Sequence, residues 1–196
     1  IPWTSSCGFT GRVVEIDRAV ILLGKATIKG LVASEAMHQA FTAVQEQGFV
    51  LEDFWLHNLS VGFAAYILSM PVNADASVGQ QKSLAALDLP AEVLELLRKV
   101  DLPKRLKLDY DHENPFVGGL MHDIGKGVMV HSYPGLFGLL TTALERDAWN
   151  IPMAVVEQEI AGGLTHTIVG EILARNWGLE EEVCQAILHH HNPEVD

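Results

Sequence analysis

Apolar residues recur along this chain at three- and four-residue intervals, the spacing of helices that each bury one face. Between residues 15 and 34 the series Ile16, Val20, Leu23, Ile28 and Leu31 keeps that spacing, with Gly24 marking a turn between two pieces. Residues 51–70 open on Glu52 and Asp53, acidic groups suited to a helix N-terminus. Phe54, Leu59, Phe63, Ile67 and Leu68 supply a predicted buried stripe, and Pro71 follows the end. His57 and Val61 share one face of this helix, so the imidazole is expected at the interior or its rim.

From Val72 to Lys82 the chain is small and polar, which predicts a loop, and Pro90 predicts the start of a short helix to Lys99. The charged stretch from Leu102 carries Pro103 and Pro115. Leu164 to Trp177 is predicted as a helix N-capped by Thr165 and stopped by Gly178, with Ile168, Val169, Ile172 and Leu173 as its apolar face. His166 and Gly170, four apart, lie on one side of it. A last helix over Glu180–His191 places Val183, Ala186, Ile187 and His190 together, before Pro193. No segment reads convincingly as a strand, and the expected class is all-α.

With 196 residues, 48% of them hydrophobic, the chain can build one well-cored domain. A net charge of −12 repels phosphate backbones and argues against direct nucleic-acid binding. Cys7 and Cys184 lie far apart without metal-binding spacing, as buried thiols of a reducing compartment would. No apolar run reaches the ~20 residues of a membrane span, and the first residues do not read as a signal peptide. The expectation is a piece of a longer soluble, cytoplasmic protein.

Chemistry concentrates in the histidines. Gly119 to Lys126 reads Gly-Leu-Met-His-Asp-Ile-Gly-Lys, His57 lies upstream, His166 downstream, and His189–His191 near the end. Imidazoles with a carboxylate suit zinc, iron, manganese or nickel better than calcium. The His122–Asp123 pair admits two readings, a metal site or a buried pair in which the carboxylate accepts from the ring; the first is favoured, because buried Asp is rare without a charged or metal partner. Adjacent helical residues diverge by about 100°, so both reach one ion only if it sits against the helix flank. Lys126, four residues after His122, shares its helix face, where the plain reading is a cation facing the dipole of a helix C-terminus. Glu157 and Glu159 are read as a solvated acidic face rather than as groups orienting His166. Trp55 and Trp177 are read as packing residues. His38, His112 and His131 are read as ordinary surface or loop histidines, and His189 as a solvated neighbour.

The same anchors, in order, resemble the HD superfamily of metal-dependent phosphohydrolases, and within it the HDOD signalling domains of bacteria. Ile16–Gly24, Phe54–His57, Gly119–Lys126, His166 with Gly170 and Trp177, and Ala186–His191 are similar to that family's motifs. The resemblance implies an HD-superfamily helical bundle. Residues 1–50 would be the end of an N-terminal helical region, and 51–196 a metal-site core with an insertion at about 71–115. It implies one or two divalent ions (iron, manganese, zinc or nickel) on His57, His122, Asp123, His166, His190 and His191. It further implies a regulatory role beside other signalling domains or proteins; a homodimer is a further expectation, since dimerisation is common among signalling modules, and charge and hydropathy argue for no membrane or nucleic-acid partner. The alternative is a phosphohydrolase or phosphodiesterase acting on a phosphoester or nucleotide, with Asp123 and Lys126 as catalytic residues. Hydrolases of cyclic di-GMP carry Gly-Tyr-Pro after the paired histidines, where this chain has Asn192-Pro193-Glu194.

Overall fold

A computed structural model of the chain describes residues 25–42, 48–69, 90–100 and 115–192. Among them run α1 (Lys25–Phe41), α2 (Leu51–Ser69), α3 (Ala91–Val100), α4 (Pro115–Met121), α5 (Ile124–Ser132), α6 (Pro134–Arg146), α7 (Met153–Ile160), α8 (His166–Asn176) and α9 (Glu181–His189), with no strand. The fold is all-α. The repeat in Ile16–Gly24, and the thiol of Cys7, fall outside the described residues, as does His112. Of the segment expected as an insertion, only residues 90–100 and the first residue of α4 are described.

The centre is α4, and its sequence says why. Pro-Phe-Val-Gly-Gly-Leu-Met contains no polar side chain, so no face of it gains from contact with water, and Phe116 to Met121 are all buried. Helices α1, α2 and α9 pack around it. Val117, Leu120, Met121 and Ile124 are 0–1% exposed, and each such side chain contributes roughly 1.5–3 kcal/mol of transfer free energy. A second apolar cluster, Met129, Val130, Phe137, Leu140, Leu144 and Val156, joins α5, α6 and α7. Trp55 and Trp177 pack against the first cluster, as packing residues should.

Glycine lets α2 and α4 meet backbone to backbone. A Cβ on Gly119 would lie 2.7 Å from the Cα of Gly62, and one on Gly62 would lie 2.9 Å from the Phe116 carbonyl oxygen. This close crossing corrects the predicted stripe of α2. The buried residues are Phe54, Asn58, Gly62 and Ser69, whereas Phe63 and Leu68 are 41% and 36% exposed. Where backbones touch, small residues occupy the interface and large ones are displaced to its edges.

Helix α8 shows the same displacement. Its buried residues are His166, Thr167, Gly170 and Ala174, while Ile168 and Ile172 face outward at 36% and 51% exposure. A Cβ on Gly125 would overlap the His166 carbonyl oxygen and lie 2.8 Å from Gly170 N, so α5 seats directly on the first turn of α8. In α9 the buried residues are Val183, Cys184 and Ile187, while Ala186, at the edge facing Gly118 of α4, stays exposed. Lys29 of α1 donates to the Gly178 carbonyl at 2.7 Å and pairs with Glu180 at 3.1 Å, fastening α1 to the α8–α9 turn.

Candidate metal centre

The expected continuous His-Asp helix is broken. His122 and Asp123 form a turn between α4 and α5, Asp123 at φ −100°, ψ 8°, the sparsely allowed bridge region. Two local bonds hold the turn. His122 Nδ1 lies 2.7 Å from the Gly119 carbonyl oxygen, and Lys126 N–H donates to Asp123 O at 2.9 Å. Leaving helical geometry releases the two side chains from the 100° divergence of neighbouring helical positions. Both then point to one place.

Five imidazoles meet there. His57, from the exposed side of α2, has Nε2 3.2 Å from His122 Nε2 and 3.5 Å from Asp123 Oδ2. His166, the first residue of α8, has Nε2 3.3 Å from His190 Nε2 and 3.1 Å from His191 Nε2. Asp123 lies between the two sets. Its Oδ2 is 3.3 Å from His122 Nε2, and its Oδ1 is 3.3 Å and 3.4 Å from the Nε2 atoms of His166 and His190. Among the described residues, two groups thus present converging ligand atoms: Asp123, His166, His190 and His191, and His57, His122 and Asp123. Within each group the atoms lie within 4.8 Å of one another. His38 and His131 are exposed and stand apart.

Hydrogen bonds decide which way the lone pairs point. A carbonyl or carboxylate oxygen can only accept, so a ring nitrogen bonded to one must carry the proton. His122 Nδ1 faces Gly119 O at 2.7 Å, His190 Nδ1 faces Ile187 O at 2.8 Å, and His166 Nδ1 faces Glu157 Oε2 at 2.7 Å. With Nδ1 of each ring committed to an oxygen acceptor, the Nε2 atoms of all three converge on Asp123 and on each other. Such an arrangement is self-repulsive unless a proton or a metal cation sits among the nitrogens. Asp123 Oδ1, buried, has no hydrogen-bond partner, which a coordinated cation would satisfy. The donor set fits a divalent ion of the nitrogen-and-oxygen-binding kind.

Burial and charge compete across the cluster. Burial alone would raise the Asp123 carboxyl, yet the rings of His122, His166 and His190 and the Lys126 ammonium outweigh it and hold the group far below the usual carboxylate range. Burial pulls His166 down, but Asp123 and Glu157 overcome it and raise its pKa. Partial burial lowers His57 against the pull of Asp123. Partial burial also carries His191 down to about 4, helped by His190 and His166. Lys126 Nζ lies 2.6 Å from Asp123 Oδ2, placing its charge on the site and not merely at a helix end.

One site residue escaped the sequence reading. Glu157 is not on a solvated face; it is fully buried and bonded to His166, whereas Glu159 is exposed as expected. A signal was present. Met153, Val156 and Ile160 mark an i, i+3, i+7 stripe on α7 whose i+4 position is Glu157.

A family model described as HDOD domain matches residues 4–87 and 100–193. The chain belongs to the HDOD family. Two solved structures are similar to it. An HDOD domain protein with unknown function from Geobacter sulfurreducens matches at TM-score 0.59 and 22% identity, over 95% of this chain and 50% of that one. The "Putative phosphohydrolase" from Shewanella amazonensis SB2B matches at TM-score 0.57 and 21% identity, over 97% and 54%. This HDOD chain thus spans about half the length of each, and at these identities the likeness concerns the fold. No curated protein matches it. Among the described residues no helix is long and apolar enough to cross a membrane.

Proposed function

We propose that this HDOD domain is a cytoplasmic signalling module built around a divalent-metal centre, which docks other signalling domains or proteins and relays the state of that centre to them. One observation carries the metal reading: three imidazoles whose Nδ1–H groups are tied to oxygen acceptors turn their Nε2 lone pairs onto one buried carboxylate. Iron, manganese, zinc or nickel would be held by Asp123, His166, His190 and His191, with His57 and His122 beside the other carboxylate oxygen. Because ligands come from α4–α5, α8 and the end of α9, binding there ties together helices that also form the core. That linkage is how occupancy would reach a docking surface.

Phosphoester hydrolysis is the second reading, favoured by the Lys126 ammonium beside Asp123 and by the half-exposed ring of His57 on the rim. A bound divalent cation supplies Lewis acidity. The chain would supply Lys126 to offset charge developing on a phosphate oxygen, and Asp123 and the histidines to fix the geometry.

Elemental analysis of protein purified without chelator tests both. One or two equivalents of metal in the wild type, lost in Asp123→Ala with helicity unchanged, supports the centre. A screen of phosphoesters and nucleotides on the loaded protein then separates regulator from hydrolase. Absence of metal after reconstitution overturns both readings.

A further inference from the structure

Helix α7 carries Glu157, beside Val156, into an interior where a carboxylate is costly unless paired and hydrogen-bonded. Among the described residues the hydrogen bonds of its carboxylate all go to His166. Oε2 accepts the His166 backbone N–H at 2.9 Å and faces Nδ1 at 2.7 Å, and Oε1 faces Nδ1 at 2.9 Å. A single carboxylate thereby holds both the backbone and the ring of one residue. That backbone N–H belongs to the first turn of α8, where donors lack intrahelical partners and negative charge is favoured.

The other pinned rings are held differently. His122 and His190 each rest on a neutral carbonyl three residues earlier in their own chain. His166 alone among the three is backed by a charged group brought from another helix. A carboxylate behind a ligand imidazole fixes its tautomer and raises its basicity. Charge favours the same side. Asp123 and Glu157 together match a dication near Oδ1, whereas Oδ2 already faces the Lys126 ammonium at 2.6 Å.

We infer that Glu157 is the positioning residue of the centre: it fixes His166 as an Nε2 donor and makes the Asp123–His166–His190–His191 group the one that takes the first divalent cation. The inference rests on the metal reading above.

Cobalt(II) added alone to the metal-free chain tests it, because its visible absorption reports each equivalent bound. In Glu157→Gln, which keeps the size of the side chain, first-equivalent affinity should fall by roughly 10–100-fold, the usual cost of losing such a supporting group. In Glu159→Gln, at an exposed position of the same helix, that first equivalent should bind as in the wild type. Nitrogen-15 shifts of the metal-free imidazoles at alkaline pH give a readout independent of metal. The His166 proton should sit on Nδ1 in the wild type and redistribute toward Nε2 in Glu157→Leu. Cobalt binding by the wild type with unchanged affinity in Glu157→Gln overturns this inference alone, as does a wild-type His166 protonated on Nε2 with Nδ1 bare. No cobalt bound by the wild type overturns the metal reading with it.

Discussion

On the Oδ1 side of Asp123 the leading ligands are buried and backed: His166 has no side-chain exposure, His190 has 16%, and each ring has its far nitrogen bonded. On the Oδ2 side His57 is 56% exposed, and a lysine ammonium already lies at 2.6 Å from the oxygen. Both sides offer imidazole nitrogens at similar distances. Each side also mixes buried and exposed rings, His122 with His57 and His166 with His191, so what separates them is charge: Glu157 behind His166 against Lys126 beside Oδ2.

The largest separation should come from exchanging the damage between sides. His166→Ala is expected to weaken first-equivalent metal affinity by more than roughly 100-fold, beyond the loss caused by removing a supporting partner. His57→Ala should leave that affinity within a factor of two or so, and abolish only the second equivalent. Calorimetric metal titration reads both, and equal losses would show the two sides of Asp123 to be equivalent.

The seating of α5 on α8 should matter next. Gly125→Ala forces a methyl into the His166 carbonyl, an overpacking that costs about 1–3 kcal/mol or more, seen as a lower urea midpoint. It should also weaken the Oδ1 side, since the displaced carbonyl belongs to a ligand residue. Unchanged stability would mean that the two helices are not locked together.

A change on the opposite side should act in the opposite sense. Lys126→Met removes the ammonium from Oδ2 and should tighten the second equivalent by roughly tenfold, about 1.4 kcal/mol. The first should move less. A second equivalent bound no more tightly would show that the lysine swings away on loading.

Smallest of all is the surface control. Glu181, far outside the centre, is held down to about 2 by hydrogen bonds from Arg175 and Gln185. A carboxyl lowered in the folded state stabilises above its unfolded value and loses that contribution as pH falls through the folded one. Glu181→Gln should therefore flatten stability slightly between pH 4.5 and 2 and leave metal affinity untouched. Because both partners are exposed, the effect should approach the limit of detection.

The helices were legible in the sequence because their signals are local. Thr165 does cap α8, its hydroxyl accepting from Ile168 N–H at 3.4 Å, and Gly178 does end it at φ 65°. The faces were less legible. Asn58 and Gly62 line the buried stripe of α2 while Phe63 does not, since hydrophobicity cannot reveal that two backbones will cross at Gly62 and Gly119. Site residues could be named from motif spacing and family resemblance. Their arrangement could not.

The sequence by itself determined an all-α chain of the HDOD kind, with histidines and one aspartate at motif positions, because helix periodicity, capping and motif spacing act over a few residues. Tertiary structure alone decided that the His122–Asp123 helix breaks. It also decided that Glu157 is buried against His166 while Glu159 is exposed, and which imidazole nitrogens carry protons. Those outcomes depend on groups from different helices meeting, nine residues apart for Glu157 and His166 and 65 for His57 and His122. Packing sets such meetings, and no local pattern encodes them.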